Sequence, residues 1–371
     1  MVIKVLHYLR NLGLGGTEKT CQLFFEHASR DEFQVALVHE STGDKKRLYE
    51  FQQGATVVRA PIFEINSYED PKRPNGRALQ NVIDIFKPDI LHVYRSGYSE
   101  YPDPGLDVQV PHFVETNVFG FVDRNPRIDK TLFMSKWLMD HTLKGLQHPR
   151  FDFVNNPVEM PVTGQALPWR TEADAAKAII LGRVGRPDNG IYNAIHVEAA
   201  RLLRLQGLDV RFLVVAPPEN MVRDLQKAEI PHKVIPPTTD PLILSMAYNT
   251  MHIYAHARAD GETFGVNIAE AMIHGLPVVT HIAVPSFAGM GVFQSQTELV
   301  EDSRTGFIVS NDPVLYSEAL KLLIENETLR LRFGQAGLVK AVEQYYVPEC
   351  MEKLERIYKE IVHEDQSSSP R

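Results

Sequence analysis

Gly261-Glu262-Thr263-Phe264-Gly265-Val266-Asn267-Ile268-Ala269-Glu270-Ala271-Met272, continuing through Ile273-His274-Gly275-Leu276-Pro277-Val278-Val279, places two carboxylates on either side of a loop-to-helix transition. The run from Asn267 to His274 has a helical pattern, Gly275 reads as its C-terminal cap, and Pro277 opens an apolar strand. Glu262 is therefore expected in the loop ahead of the helix and Glu270 about one turn inside it. Between them, Thr263 leads into the backbone amides of Phe264, Gly265 and Val266, which face one space. Amides at a helix start have no partner inside the helix and attract anions such as phosphate. Carboxylates on both sides accept hydrogen bonds from sugar hydroxyls, so the group suits a nucleotide-sugar. Taken alone, a Glu pair at this spacing also fits an ordinary loop-helix-strand unit with two solvent-facing acids.

Outward from this segment, short apolar runs alternate with helical patterns, the mark of parallel sheets covered by helices on both faces. In the first half the strand candidates are Ile3–Tyr8, Val35–His39, Thr56–Arg59, Ile90–Tyr94, Phe113–Glu115, Leu132–Met134 and Phe153–Asn155. Helix candidates between them include Thr17–His27, Lys46–Gln53, Arg77–Phe86 and Lys136–Lys144. The alternation restarts with strands Ala178–Leu181, Arg211–Val215, Lys233–Ile235, His252–Ala255, Pro277–Thr280 and Gly306–Val309, and with helices Tyr192–Gln206 and Glu219–Ala228. Residues 156–175 carry Pro157, Pro161 and Pro168 and read as a linker. A chain of 371 residues is long for one core. Two α/β domains are expected, residues 1–157 and 158–345. Met351, Leu354, Ile357, Tyr358 and Ile361 recur at helical spacing in a last helix within 346–364, followed by a disordered tail, 365–371.

Other segments carry candidate chemistry. The first strand runs into Gly13-Leu14-Gly15-Gly16-Thr17 and then an apolar-periodic helix. Glycines there let backbone approach a ligand, although a tight turn without ligand has the same pattern. No acid on the second strand makes a convincing dinucleotide fingerprint. Ile179-Ile180-Leu181-Gly182-Arg183-Val184-Gly185-Arg186 ends a strand on the guanidinium of Arg183. Arginine is always charged and grips a diphosphate through paired hydrogen bonds. Arg186 reads either as a second such cation or as a surface charge. Glu115 and Asn117, at the end of a first-domain strand, either position an acceptor or only hold their loop together.

The segment from Glu262 to Val279 resembles the signature of the retaining glycosyltransferases of family four (glycosyl transferases group 1), including Phe264-Gly265 and Glu270-Ala271-Met272. Gly15-Gly16-Thr17-Glu18, Met134-Ser135-Lys136-Trp137, Asn155-Asn156-Pro157-Val158-Glu159 and Gly182-Arg183 match further landmarks of that family along nearly the whole chain. The resemblance implies a GT-B fold: two doubly wound Rossmann-like domains facing across a cleft. The N-terminal domain would hold the acceptor and the C-terminal domain the nucleotide-sugar, with the last helix returning to the N-terminal domain. It implies that Glu262 meets hydroxyls of the transferred sugar, Glu270 the ribose, and Arg183 the donor diphosphate. Gly15, Gly16 and Thr17 would line the cleft near the donor phosphates and the acceptor. The chain departs from the family twice. A Lys expected soon after the Gly-Arg is replaced by the region Asn189-Gly190-Ile191, leaving Arg186 as its substitute. A His after the first-domain strand is replaced by Asn117 or Val118.

The implied reaction is a front-face hexosyl transfer to a hydroxyl acceptor, in which a donor phosphate oxygen takes the proton. It needs no general base, metal or cofactor. A UDP-sugar 2-epimerase-like enzyme, or a non-catalytic GT-B-like scaffold binding a carbohydrate or a partner, shares the architecture. A net charge of −8 argues against nucleic acid as a partner. Two distant cysteines, Cys21 and Cys350, fit a reducing compartment, and a cytoplasmic location is expected. The acceptor class stays open among glycans, lipids and small molecules. Residues 124–150 mix Arg124, Arg127, Lys130, Lys136, Lys144 and Arg150 with Trp137, Leu138 and Leu146. Such a face suits peripheral contact with the inner face of a membrane, while Asp123, Asp129 and Asp140 suit a solvated face.

Overall fold

The computed structural model describes residues 2–68, 76–95, 107–285 and 292–368. Residues up to Pro157, together with those from Val347 onward, form one unit, and Val158–Tyr346 a second. The first unit begins with β1 (Ile3–Leu9), α1 (Gly16–His27), β2 (Phe33–Glu40), α2 (Leu48–Val58), β3 (Ile62–Ile65) and α3 (Arg77–Phe86). It continues with β4 (Ile90–Arg95), β5 (His112–Asn117), β6 (Lys130–Phe133), α4 (Lys136–Leu143) and β7 (Phe151–Phe153). The strands lie in the order β3-β2-β1-β4-β5-β6-β7, all parallel. Val5 of β1 pairs with Val35 on one side and Ile90 on the other. A strand buried on both faces needs apolar residues at successive positions, which is why Ile3–Leu9 reads as a run. Strand order reverses between β1 and β4, and doubly wound sheets take ligands at the C-terminal ends of such neighbours.

One expectation fails in this unit. Thr56–Arg59 is not a strand: Thr56, Val57 and Val58 finish α2, and Arg59 closes it in the left-handed conformation at φ 53°. Burial of Phe51 and Gly54 in that helix outweighs the β-preference of its last residues. The third strand is Ile62–Ile65, after Pro61, in register with Leu37–Glu40 of β2. The sheet also contains an acid overlooked in the sequence. Glu40 ends β2, but its oxygens accept from the Tyr8 hydroxyl at 2.7 Å and the Ser67 amide at 2.9 Å, so it braces the sheet edge.

The second unit holds α5 (Pro168–Ala175), β8 (Ile179–Val184), α6 (Ile195–Leu205), β9 (Val210–Val215), α7 (Glu219–Lys227), β10 (His232–Ile235) and α8 (Pro241–Thr250). Then come β11 (Ile253–Ala255), α9 (Val266–Ile273), β12 (Val278–His281), α10 (Gln296–Leu299), β13 (Gly306–Val309), α11 (Pro313–Glu325) and α12 (Glu327–Gln344). Its parallel sheet runs β10-β9-β8-β11-β12-β13, with the reversal between β8 and β11. The expected linker is in part structured. Pro168 opens α5, where a missing amide hydrogen costs nothing, and Trp169 and Ala173 are buried. Hydrogen bonds from the Leu167 amide to Thr250 and from Asn249 to the Thr163 carbonyl strap this stretch onto α8.

The last helix, α13 (Val347–Ser368), belongs to the first unit. Met351, Leu354, Ile357 and Tyr358 join the core cluster containing Val5, Phe24 and Phe25, with Ile361 packed at its edge. The Tyr358 hydroxyl bonds His92 on β4, and Glu355 accepts from the Ser29 amide at 2.7 Å. α13 runs into the segment expected as a disordered tail, because no Gly or Pro interrupts it before Pro370. Residues 369–371 lie outside the described residues.

Candidate functional site

The loop between β11 and α9 enters its helix through Gly265, at φ 103°, a conformation that a side chain would strain. No side chain caps α9. The amides of Phe264, Gly265 and Val266 take no partner among the described residues, whereas Ile268 and Ala269 already bond the Gly265 carbonyl. Phe264 itself points into the core, buried against Tyr345 at a centroid distance of 5.5 Å, so only its backbone serves this entrance. The Ser295 hydroxyl donates to the Thr263 carbonyl at 2.8 Å, and the Asn267 side-chain amide donates to the Val184 carbonyl at 2.9 Å. The second bond ties the start of α9 to the end of β8, beside Arg183.

Arg183 is 4% exposed, and its Nη1 has no hydrogen-bond partner among the described residues. Burial pulls its pKa down, opposed by Tyr254 and Glu262. A buried guanidinium left this way costs free energy unless an anion meets it. Arg186 is exposed on the loop after β8.

Glu262 is 8% exposed, with Oε1 3.2 Å from His256 Nε2 and Oε2 3.3 Å from Arg258 Nη1. Burial alone would raise its pKa, but Arg258 and His256 outweigh that and hold the carboxyl at about 2. Glu270 is half-buried inside α9 and accepts from the Tyr248 hydroxyl at 2.8 Å. Tyr248 stacks on His274, with centroids 4.8 Å apart. The structure thus gathers Arg183, Glu262, Thr263, Phe264, Gly265, Val266 and Glu270 in one unit. It adds His256, Arg258, Asn267 and Tyr248, none of them singled out in the sequence. Only Arg258, four residues before Glu262, left a signal there, an opposite charge at short spacing.

The first-unit candidates stand differently. Glu115 is fully buried, 3.4 Å from Arg95 Nε and accepting from the Thr131 hydroxyl at 2.7 Å. Asn117 is also fully buried, bonding the Phe121 carbonyl and the Gly120 amide. Asn117 holds its loop together, whereas Glu115 ties β5 to β4 and β6. Gly15 precedes α1 in an extended conformation, and any side chain there would collide with the Glu18 carboxylate. Asp44 and Glu18 also flank Gly13. A carboxylate therefore lies against the helix start that Gly15, Gly16 and Thr17 were expected to offer to a donor phosphate.

Residues 176–326, which include this site, match the sequence model described as glycosyl transferases group 1. That match covers under half of the chain, most of the second unit. A phosphatidyl-myo-inositol mannosyltransferase of Mycobacterium leprae (strain TN) is 25% identical over 185 residues, 49% of this chain and 46% of that protein. The alignment thus spans less than half of that relative's length. A glycosyltransferase from Rickettsia africae ESF-5 superposes with a TM-score of 0.74 at 15% identity, covering 97% of this chain and 99% of that one. The Anabaena protein Alr3699/HepE, solved with UDP and glucose, has a TM-score of 0.73 at 14% identity, covering 96% of this chain and 99% of that one. Both solved structures share the GT-B fold of the chain. Among the described residues, no helix is long and apolar enough to cross a membrane, and no group of three His, Cys, Asp or Glu side chains could hold a metal ion.

Proposed function

We propose that this chain is a retaining hexosyltransferase that moves a sugar from a nucleoside-diphosphate donor to the hydroxyl of a glycan, a lipid or a small molecule. The observation that carries the reading is the buried guanidinium of Arg183 with an unpartnered Nη1, tied through Val184 and Asn267 to an uncapped helix start. One anion would satisfy both. In this reading the donor diphosphate lies against Arg183 and the amides of Phe264, Gly265 and Val266, with Arg186 at its solvent side. Glu270 accepts from the ribose, and Glu262, a carboxylate at any physiological pH, accepts from hydroxyls of the transferred sugar.

The reaction breaks the bond between the anomeric carbon and the diphosphate oxygen and forms one from that carbon to the acceptor oxygen on the same face. The acceptor's proton passes to the departing phosphate oxygen. Charge that builds on the diphosphate is met by Arg183 and the amides, so the site stabilises the transition state more than the bound donor. No metal and no cofactor takes part. Two free, buried cysteines support a reducing, cytoplasmic setting.

A thermal-shift screen tests the reading. UDP, GDP and ADP, and then UDP-glucose, GDP-mannose and ADP-glucose, are titrated into the whole chain. One base series should raise the melting point, because ligand binds the folded state only. Sugar release from that donor then separates a transferase from a 2-epimerase-like enzyme, which returns an isomerised nucleotide-sugar. Binding with no turnover in any form indicates a scaffold, and no shift with any nucleotide removes the proposal.

A further inference from the structure

We infer that Arg258 and His256 are positioning residues, which fix the rotamer and the charge of Glu262 from behind and so aim it at the donor sugar. The inference rests on the reading of Glu262 as the sugar-binding acid.

Each Glu262 oxygen has its own partner, and each partner is itself anchored. Arg258 sends Nη1 to Glu262 and spends Nε and Nη2 on Asp260, at 2.6 and 3.1 Å. Its guanidinium is therefore committed to two acids and does not serve as a second diphosphate clamp in place of the absent family Lys. His256 follows β11, and its Nδ1 lies 2.8 Å from the hydroxyl of Thr280, fully buried on β12. A carboxylate only accepts hydrogen bonds. His256 Nε2 therefore donates to Glu262, while Nδ1 pairs with the Thr280 hydroxyl. The result is an unbroken run, Thr280–His256–Glu262–Arg258–Asp260.

The backbone is held as well. The Glu262 amide donates to Gln296 Oε1 at 3.0 Å, and its carbonyl accepts from the Ser295 amide at 2.9 Å. One hydrogen bond to each oxygen still leaves a lone pair on each for a sugar hydroxyl. The titratable and charged groups facing Glu262 are His256 and Tyr254 from β11 and the loop after it, Arg258 from that same loop, and Arg183 and Arg186 from β8 and the loop after it. Asp260 and His281 stand one contact further out.

The sign of the test follows. Glu262 is held low, so in the native enzyme its acceptor form persists until pH falls toward about 2. Arg258→Met keeps a stem of similar bulk and removes the charge, and burial then pushes the Glu262 pKa up. Using whichever of UDP-glucose, GDP-mannose or ADP-glucose is turned over, the variant should lose on the order of 10²-fold in rate at neutral pH. Its rate should acquire an acid limb, rising with pH through roughly pH 5–7. Affinity for the free nucleoside diphosphate should stay unchanged. Arg258→Lys should recover most of the rate and lose the limb. Thr280→Val, which releases His256 without touching a charge, should lower the rate in the same direction by less, and it serves if Arg258→Met does not fold. Glu262→Ala is run beside them. If Glu262→Ala is inactive while Arg258→Met and Thr280→Val keep the native pH profile and rate, the positioning inference is overturned and the sugar-binding reading stands. If Glu262→Ala transfers as well as the native chain, that reading falls, and the inference with it.

Discussion

Both units place a glycine-led loop ahead of a helix, α1 after Gly13–Gly16 and α9 after Gly261–Gly265, and at the level of sequence either suits a phosphate. Their charges differ. At α1 the Glu18 carboxylate folds back against Gly15, with Asp44 close by Gly13. Neither helix start carries a side-chain cap, but at α9 the buried Arg183 stands beside the first turn. A helix start offers the same partial positive charge in both places. What decides whether an external anion can use it is the nearest full charge: an internal acid lies against the first entrance, and an under-satisfied cation adds to the second.

The sharpest way to break this contrast is to remove the cation. Arg183→Met should lower turnover by about 10²–10³-fold, the usual cost of losing one preorganised donor to the leaving group. The melting temperature should hold or rise, because the substitution relieves a buried charge that lacks a full set of partners. Steady-state kinetics and a melting curve on the same preparation read both. A variant that melts much lower yet keeps its turnover would make the guanidinium a part of the core, and the two entrances would then be alike.

Glu270→Ala asks whether the second entrance meets a nucleotide along its whole length. Nucleotide binding should weaken by about 1.5–3 kcal/mol, the scale of a hydrogen bond to a charged group, or roughly 10- to 150-fold in Kd. Calorimetry with the nucleoside diphosphate is the check, and unaltered affinity would confine the site to the helix start. The Tyr248 hydroxyl, which donates to Glu270, loses that acceptor, so a modest loss of stability is expected as well.

How much of this was legible beforehand depended on whether a property belongs to the local chain or to its folding back. Buried parallel strands announce themselves as apolar runs, so β1, β2, β4, β9 and β13 were read within a few residues. Thr56–Val58 misled because β-branched residues can close a helix whose other face is buried. Glu262 and Glu270 stood out through the glycines and helix pattern around them. The partners of Glu262 did not, since His256 and Arg258 acquire their role only when the loop after β11 curls back on itself. Glu18 was quoted as part of a glycine-rich landmark, but the direction of its side chain, which turns toward Gly15, has no trace in spacing. The burial of Glu115 and Asn117 likewise follows from the strand pairing on either side of β5.

The smallest expected effect tests the first entrance directly. Glu18 is the third residue of α1, the position from which an acid reaches back toward the residue that caps the helix. Glu18→Gln keeps the shape and removes the charge. A charge on the first turn of a helix is worth about 0.3–1 kcal/mol, so the melting temperature should drop slightly. Nucleotide affinity should not change, because the donor is read as bound by the second unit alone. Were the substitution to tighten nucleoside-diphosphate binding by about tenfold, 1.4 kcal/mol in binding free energy, the α1 amides would also be meeting phosphate and Glu18 would be repelling it. The difference between the two entrances would then be one of degree, with Glu18 setting donor affinity and Arg183 setting the rate.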